Sequence, residues 1–239
     1  MVLQWISCLQ KELKYYKERY ERLIEEKSEG TCQWLLEEDV YIKWMQSESP
    51  DSVLWIHGNP GVGKSMLTAT AINHLSNLSK KTKNETVKEH LDDTDMFNDY
   101  IVLYFFVDGR DLNKTEPVWI LKSLTYQLIR FPQFPENHLL EHAYERSALD
   151  QAVDFDQVWD LFLALLHLLT PGHTKWILID GLDECQCPDK KKFVQKLLGL
   201  ISNPLLEVKL FVTSRTSDKH LLELLTGFIS FDQSHPVQN

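Results

Sequence analysis

Eight residues, Gly58-Asn59-Pro60-Gly61-Val62-Gly63-Lys64-Ser65, stand between the apolar run VLWIH at Val53 to His57 and a helical pattern, MLTATAINHL, that begins at Met66. They fit G-x-x-x-x-G-K-[ST], a pattern that average residue usage produces by chance about once in a hundred chains of this length. A buried strand before the turn and a helix after it are the context this pattern requires. The glycines let backbone N–H groups turn inward onto phosphate oxygens, and the helix N-terminus adds partial positive charge. Lys64 is suited to the β and γ oxygens and the Ser65 hydroxyl to Mg²⁺. Gly58, Asn59, Pro60, Gly61, Val62, Gly63, Lys64, Ser65 and the adjoining Met66 therefore read as a nucleoside triphosphate site.

The rest of the chain supplies a matching architecture. Tyr100 to Val107 (YIVLYFFV), Trp176 to Asp180 (WILID), Val208 to Thr213 (VKLFVT) and Phe228 to Phe231 (FISF) are short apolar runs rich in β-branched and aromatic residues. Most are continuous instead of alternating, as strands buried on both faces of a parallel sheet are. Helical patterns lie between them at Met66 to Leu78, Pro117 to Arg130, Glu136 to Leu149, Phe155 to Leu169, Lys190 to Ile201 and Asp218 to Leu225. The expected fold is α/β: an open, mainly parallel sheet with helices on both faces. Trp119, Trp159, Leu161, Phe162 and Leu165 fall at helical spacings and read as core. The polar stretch Lys80 to Asp99 reads as a surface insertion.

At the N-terminus Val2, Ile6, Leu9, Leu13, Tyr16, Tyr20 and Leu23 form an a/d stripe, which predicts a helix with one apolar seam. A stripe this short favours packing on its own domain over a coiled coil. Ser28-Glu29-Gly30-Thr31 reads as a helix stop followed by an N-cap at Thr31, with a second helix or helix pair before Pro50.

Charge and cysteine usage narrow the classes further. The 239 residues carry 25 Lys and Arg against 35 Asp and Glu, a net charge of −10. That balance repels a polyanionic backbone and sets nucleic acid aside as a partner. Cys8, Cys32, Cys185 and Cys187 are too few and too irregular for a disulfide framework or a zinc site, which suits reduced thiols in the cytoplasm. No signal sequence or run of 18 apolar residues occurs, so no membrane span is expected.

A phosphate loop needs a carboxylate at the end of a neighbouring strand to meet the metal through water. Asp180 closes WILID and is the expected metal-side carboxylate, sharing Mg²⁺ with Ser65. Asp183 or Glu184, just beyond it, could orient or deprotonate an attacking water, and one of the two could instead cap the next helix. Arg215, in Thr213-Ser214-Arg215, closes the following strand. It could sense a terminal phosphate or form a salt bridge with a neighbouring carboxylate. Arg110 is a second candidate of the same kind. None of the histidines forms a metal or nucleophile signature, and His57, His167 and His220 read as packing or surface residues.

Together, GTCQWLL at Gly30 to Leu36, WIHGNPGVGKS, YFFVDGRD, SLTYQLI, ILIDGLDEC and LFVTSR resemble the NACHT domain of fungal STAND NTPases, NOD-like receptors related to heterokaryon-incompatibility proteins. The resemblance runs from about residue 28 to the C-terminus. It implies a five-stranded sheet of order 5-1-4-3-2 and a nucleotide-binding domain at 28–239, which the stripe precedes as an amphipathic helix at 1–27. It also implies Lys64 and Ser65 as phosphate and Mg²⁺ ligands, Asp180 as the Walker B residue, Asp183 or Glu184 as the hydrolytic acid, and Arg215 as sensor 1. Such proteins are switches. A resting form bound to ADP or GDP exchanges for ATP or GTP, self-associates through the NACHT domain, and triggers defence or programmed cell death. The sequence ends soon after the fifth strand, before the family's winged-helix segment, so it is expected to be a piece of a larger receptor or a short product with slow turnover. The other readings are a nucleotide-stabilised scaffold without catalysis and a P-loop kinase, for which no arginine-rich lid segment appears.

Overall fold

The computed structural model describes residues 15–46, 52–85, 100–111, 115–130, 154–169, 173–185 and 187–232, with side chains of the helix that ends at Glu85 described through 78. Residues 15–26 are the described part of helix α1. After it come α2 (Asp39–Gln46), β1 (Val53–His57), α3 (Lys64–Glu85), β2 (Ile101–Phe106) and α4 (Pro117–Ile129). The chain continues through α5 (Phe155–Leu168), β3 (Lys175–Asp180), α6 (Lys190–Ile201), β4 (Val208–Ser214), α7 (Lys219–Leu225) and β5 (Ile229–Asp232).

The five strands form one sheet in the order β2-β3-β4-β1-β5, every neighbouring pair parallel. Read from the other edge this is 5-1-4-3-2, the expected order. The continuous apolar strands have the cause inferred for them: each face is covered. Trp55, Ile177, Ile179 and Val212 point to a core shared with α4, α5 and α6, where Leu124, Phe162 and Leu197 are buried. Their neighbours along the strands, Leu54, Ile56, Leu178 and Phe211, point the other way, onto Leu67 and Ile72 of α3 and Trp44 of α2. Only the edge strand β5 alternates between half-buried and exposed residues.

Pairing of Phe106 with Asp180, and of His57 with both Ser214 and Asp232, brings the C-terminal ends of the strands to one edge. That edge is where open parallel sheets hold ligands. Helix α1 lies across the α3 side of the sheet. The rings of Tyr16 and Tyr20 each sit 5.3 Å from that of Tyr104 on β2, and Leu23 is buried. Tyr20 also donates to Asn73, and Lys27 to Thr70, both on α3.

Several local expectations need adjustment. Thr31 does not cap a helix. Gly30 and Cys32 flank it with φ of 78° and 60°, making a turn into the 3-10 segment Gln33–Glu37, with α2 as a separate helix. Helix α3 runs seven residues past the apolar period that ended at Leu78, because propagation needs backbone hydrogen bonds and not an apolar face. The fifth strand begins at Ile229, not Phe228. The proposed helix at 136–149, the early stripe residues Val2, Ile6, Leu9 and Leu13, Cys8, and residues 86–99 lie outside the described residues. Among the described residues no helix is long and apolar enough to cross a membrane.

Candidate functional site

The turn after β1 is built on positive backbone angles. Gly61 and Gly63 have φ of 82° and 92°, a region that costs an L-residue strain whatever space surrounds it. Helix α3 starts at once: the Gly63 carbonyl accepts from the amides of Met66 and Leu67 at 2.9 and 3.0 Å. The Lys64 ammonium reaches back across the turn and donates to the carbonyls of Gly58 and Asn59, both at 2.8 Å. Burial lowers its pKa, while the charges of Asp183 and Asp180 oppose that shift.

Asp180, at the end of β3, is only 5% exposed. Burial pushes its carboxyl upward, and hydrogen bonds from three hydroxyls favour the ionised form. Ser65 Oγ donates to Oδ2 at 2.6 Å, Thr213 Oγ1 to Oδ1 at 2.6 Å, and Thr68 Oγ1 to Oδ1 at 3.1 Å. The Thr213 hydroxyl also accepts from the Gly181 amide at 2.9 Å, tying the end of β4 to the turn that follows β3. Gly181 makes that turn with φ of 71° and leads into the 3-10 segment Leu182–Glu184.

Arg215 is drawn onto that segment. Its amide donates to Asp183 Oδ1 at 2.9 Å, its Nε lies 3.2 Å from Oδ2 of the same carboxylate, and its guanidinium also meets Glu184 Oε1 at 3.5 Å. The salt-bridge alternative is therefore the arrangement present, at the same sheet edge as Lys64 and Asp180. The two acids differ: Asp183 is nearly buried and clasps Arg215 through backbone and side chain, whereas Glu184 is more open and takes the Gly109 amide at 2.7 Å. A Cβ at Gly109 would stand 3.1 Å from Glu184 Oε2. Arg110 turns the other way. It forks onto Asp108 with both bonds at 2.8 Å, and Asp108 also accepts from Tyr15 of α1 at 3.1 Å. The Arg110 fork holds the Asp108 carboxyl well below the usual range, whereas burial and the Asp108 charge push Tyr15 up to about 12.

These groups surround a cavity of about 770 Å³, within the range of roughly 300–1,000 Å³ usual for ligand pockets. Pro60, Gly61, Gly63, Lys64, Ser65 and Met66 line it. So do Asp180, Asp183, Glu184, Arg215 and Arg110. Of the expected binding residues, Gly58, Asn59 and Val62 are not in the lining; the first two act through their carbonyls on Lys64. The donor set suits Mg²⁺: one carboxylate and adjacent hydroxyl oxygens, leaving the remaining positions to phosphate and water. Among the described residues no cluster of His, Cys, Asp or Glu forms an all-protein metal site.

Sequence reasoning missed Thr68, Thr213, Asp108 and the α1 residues. Thr68 was within reach, since it sits one helical turn beyond Lys64 and Ser65 on the same face. Thr213 was quoted as the end of a strand and given no role.

The nephrocystin 3 N-terminal family matches residues 30–215. The chain belongs to that family. The match agrees with the NACHT-type P-loop NTPase resemblance, and it covers the loop, Asp180 and Arg215. Among solved structures, the Aeropyrum pernix ORC1 protein in complex with DNA is similar at 16% identity and a TM-score of 0.50, over 87% of this chain and 44% of that one. The chain thus spans under half of that ORC1 chain, and the likeness is one of P-loop fold. Drosophila ORC bound to DNA is similar at 18% identity and a TM-score of 0.44, over 75% and 36% of the two chains. No curated protein matches the sequence. One expectation is corrected here. Net charge was taken to exclude nucleic acid, yet the similar ORC1 structure is a DNA complex, and a whole-chain sum does not report where cations gather. The self-association drawn from the resemblance finds no support in these comparisons.

Proposed function

We propose that this chain binds a nucleoside triphosphate with Mg²⁺ above the C-terminal edge of its sheet and hydrolyses it slowly, as the signalling switch of a NOD-like receptor. The observation that carries the reading is the 2.6 Å bond between Ser65 and Asp180, 115 residues apart, which joins the phosphate loop to the β3 carboxylate. A metal held there supplies Lewis-acid stabilisation of phosphate charge. Lys64 then serves the β and γ oxygens, and the loop amides and the start of α3 bind the phosphate chain. Arg215, held over the cleft by Asp183, is the sensor of the terminal phosphate. Glu184, the more open of the two acids, orients the attacking water. The defence-switch role rests on the motif resemblance, ILIDGLDEC above all, and the nucleotide base is left as adenine or guanine.

Thermal denaturation with Mg²⁺ and ATP, ADP, GTP or GDP tests the binding. Ligand at about 100 times its Kd stabilises by about 2.7 kcal/mol, and Lys64→Ala should abolish the shift. A wild-type midpoint unmoved by all four nucleotides at millimolar concentration ends the proposal. Phosphate release by Glu184→Gln then separates hydrolysis from binding, and an unchanged rate would transfer the water-orienting role to Asp183.

A further inference from the structure

The residues facing the cavity include a part of the chain that the family match leaves out. Tyr15, Arg19 and Leu23 of α1 line it together with Lys64, Ser65 and Asp180. Their spacing of four places them on one stripe of the helix, beside the stripe of Tyr16 and Tyr20 that packs on β2. The described part of α1 is tied down at Tyr15 and just beyond its last turn at Lys27. Tyr15 donates to Asp108 in the loop after β2, and Lys27 donates at 3.0 Å to Thr70 of α3, the helix that starts with Lys64.

The charges lining the cavity are distinct in how they are committed. Arg110 is forked onto Asp108, Arg215 onto Asp183 and Glu184, and Lys64 spans the carbonyls of its own turn. Arg19 is the one lining cation that makes no ion pair or hydrogen bond among the described residues. It is half-buried, on a helix held through Tyr15 and Lys27, and its charge is felt by the Tyr15 phenol beside it. A guanidinium in a partly enclosed cleft with no carboxylate on it is matched by an anionic ligand, and its planar donors suit a phosphate.

We propose that Arg19 is a phosphate-binding residue delivered from outside the nucleotide domain proper, contacting the terminal phosphate so that α1 is held more firmly by triphosphate than by diphosphate. The proposal rests on the nucleotide-binding reading above and adds a direction to it: occupancy is transmitted to the N-terminal end of the chain. Leu23 and the Tyr15–Asp108 bond position α1, and Arg19 reads the ligand.

The test uses the full chain with Mg²⁺ and four probes: the γ-thio analogues of ATP and GTP, and ADP and GDP. Arg19→Gln should weaken triphosphate binding by about tenfold, the loss of one charge-assisted contact, and change diphosphate binding less than about twofold. Arg19→Lys should restore part of the triphosphate affinity. Hydrogen exchange over residues 15–26 should slow more with triphosphate than with diphosphate in wild type, and equally with both in Arg19→Gln. Equal weakening of both nucleotide classes would mean that Arg19 merely supports helix packing, and unchanged affinity would mean that it does not meet the ligand; either overturns the inference. Wild type that binds no probe at all overturns the nucleotide reading itself, a result distinct from the other two.

Discussion

The two ends of β3 each bury an ionisable side chain, and they do so on opposite terms. At the C-terminal end Asp180 is enclosed by hydroxyls from α3 and β4, so its negative charge is met by fixed donors. At the N-terminal end Lys175 is completely buried between β2 and β4, and its ammonium has no hydrogen-bond partner among the described residues. Burial there pushes the lysine from the ordinary 10.5 down to about 8, with only the charge of Glu207 opposing. Four residues of one strand thus separate a charge that the fold supports from one that it merely tolerates. Supported charge marks the edge where the sheet can bind a cation and an anion together. Unsupported charge marks a cost in stability.

The largest expected effect breaks the supported end. Asp180→Asn keeps the size of the side chain and its hydroxyl contacts but removes the charge that a metal needs. Mg²⁺-dependent nucleotide stabilisation should vanish, and phosphate release should fall by at least about 100-fold. Single-turnover assays with and without Mg²⁺ measure both. A variant as Mg²⁺-dependent as wild type would show that the hydroxyl cage serves packing alone.

At the other end, Lys175→Met should stabilise the protein by on the order of 3 kcal/mol at neutral pH, the worth of a shift from 10.5 to about 8. The sign follows from proton counting. Between pH 8 and 10.5 the unfolded chain holds more protons at this lysine than the folded one, so wild-type stability rises with pH across that window. Below pH 8 the full cost stands. Urea denaturation of both proteins should therefore show a gap that is constant up to pH 8 and closes toward pH 10.5. A gap independent of pH would place the cause in packing.

The same contrast explains what could be read from residues alone. Strands buried on both faces announce themselves by unbroken apolar runs, and the phosphate loop by glycines whose φ no other residue holds comfortably. Asp180 was legible because it ends such a run. Sheet order came with the motif resemblance. The hydroxyl cage was legible only in part: Thr68 follows Lys64 by one helical turn on the same face, whereas Thr213 looks like any threonine in a strand until β3 and β4 are paired. The bond of Arg215 to Asp183 and the facing of Tyr15 and Arg19 into the cleft depend likewise on contacts between segments far apart in sequence. Lys175 was invisible for the opposite reason: a lysine at the start of a strand is ordinarily exposed, and its complete burial shows only in the assembled fold.

Thr213 offers the smallest and most discriminating change. Its hydroxyl donates to Asp180 and accepts from the Gly181 amide, so Thr213→Val leaves one half-buried N–H without an acceptor and the carboxylate with one donor fewer. The loss should be about 1–2 kcal/mol in urea denaturation, and Thr213→Ser, which keeps the hydroxyl, should recover most of it. Mg²⁺-triphosphate affinity should drop severalfold in the valine variant, because a less supported carboxylate is held less firmly in the ionised form that the metal requires. Stability lost without any loss of affinity would separate the two duties of that hydroxyl, leaving Ser65 and Thr68 as the donors that matter to the metal.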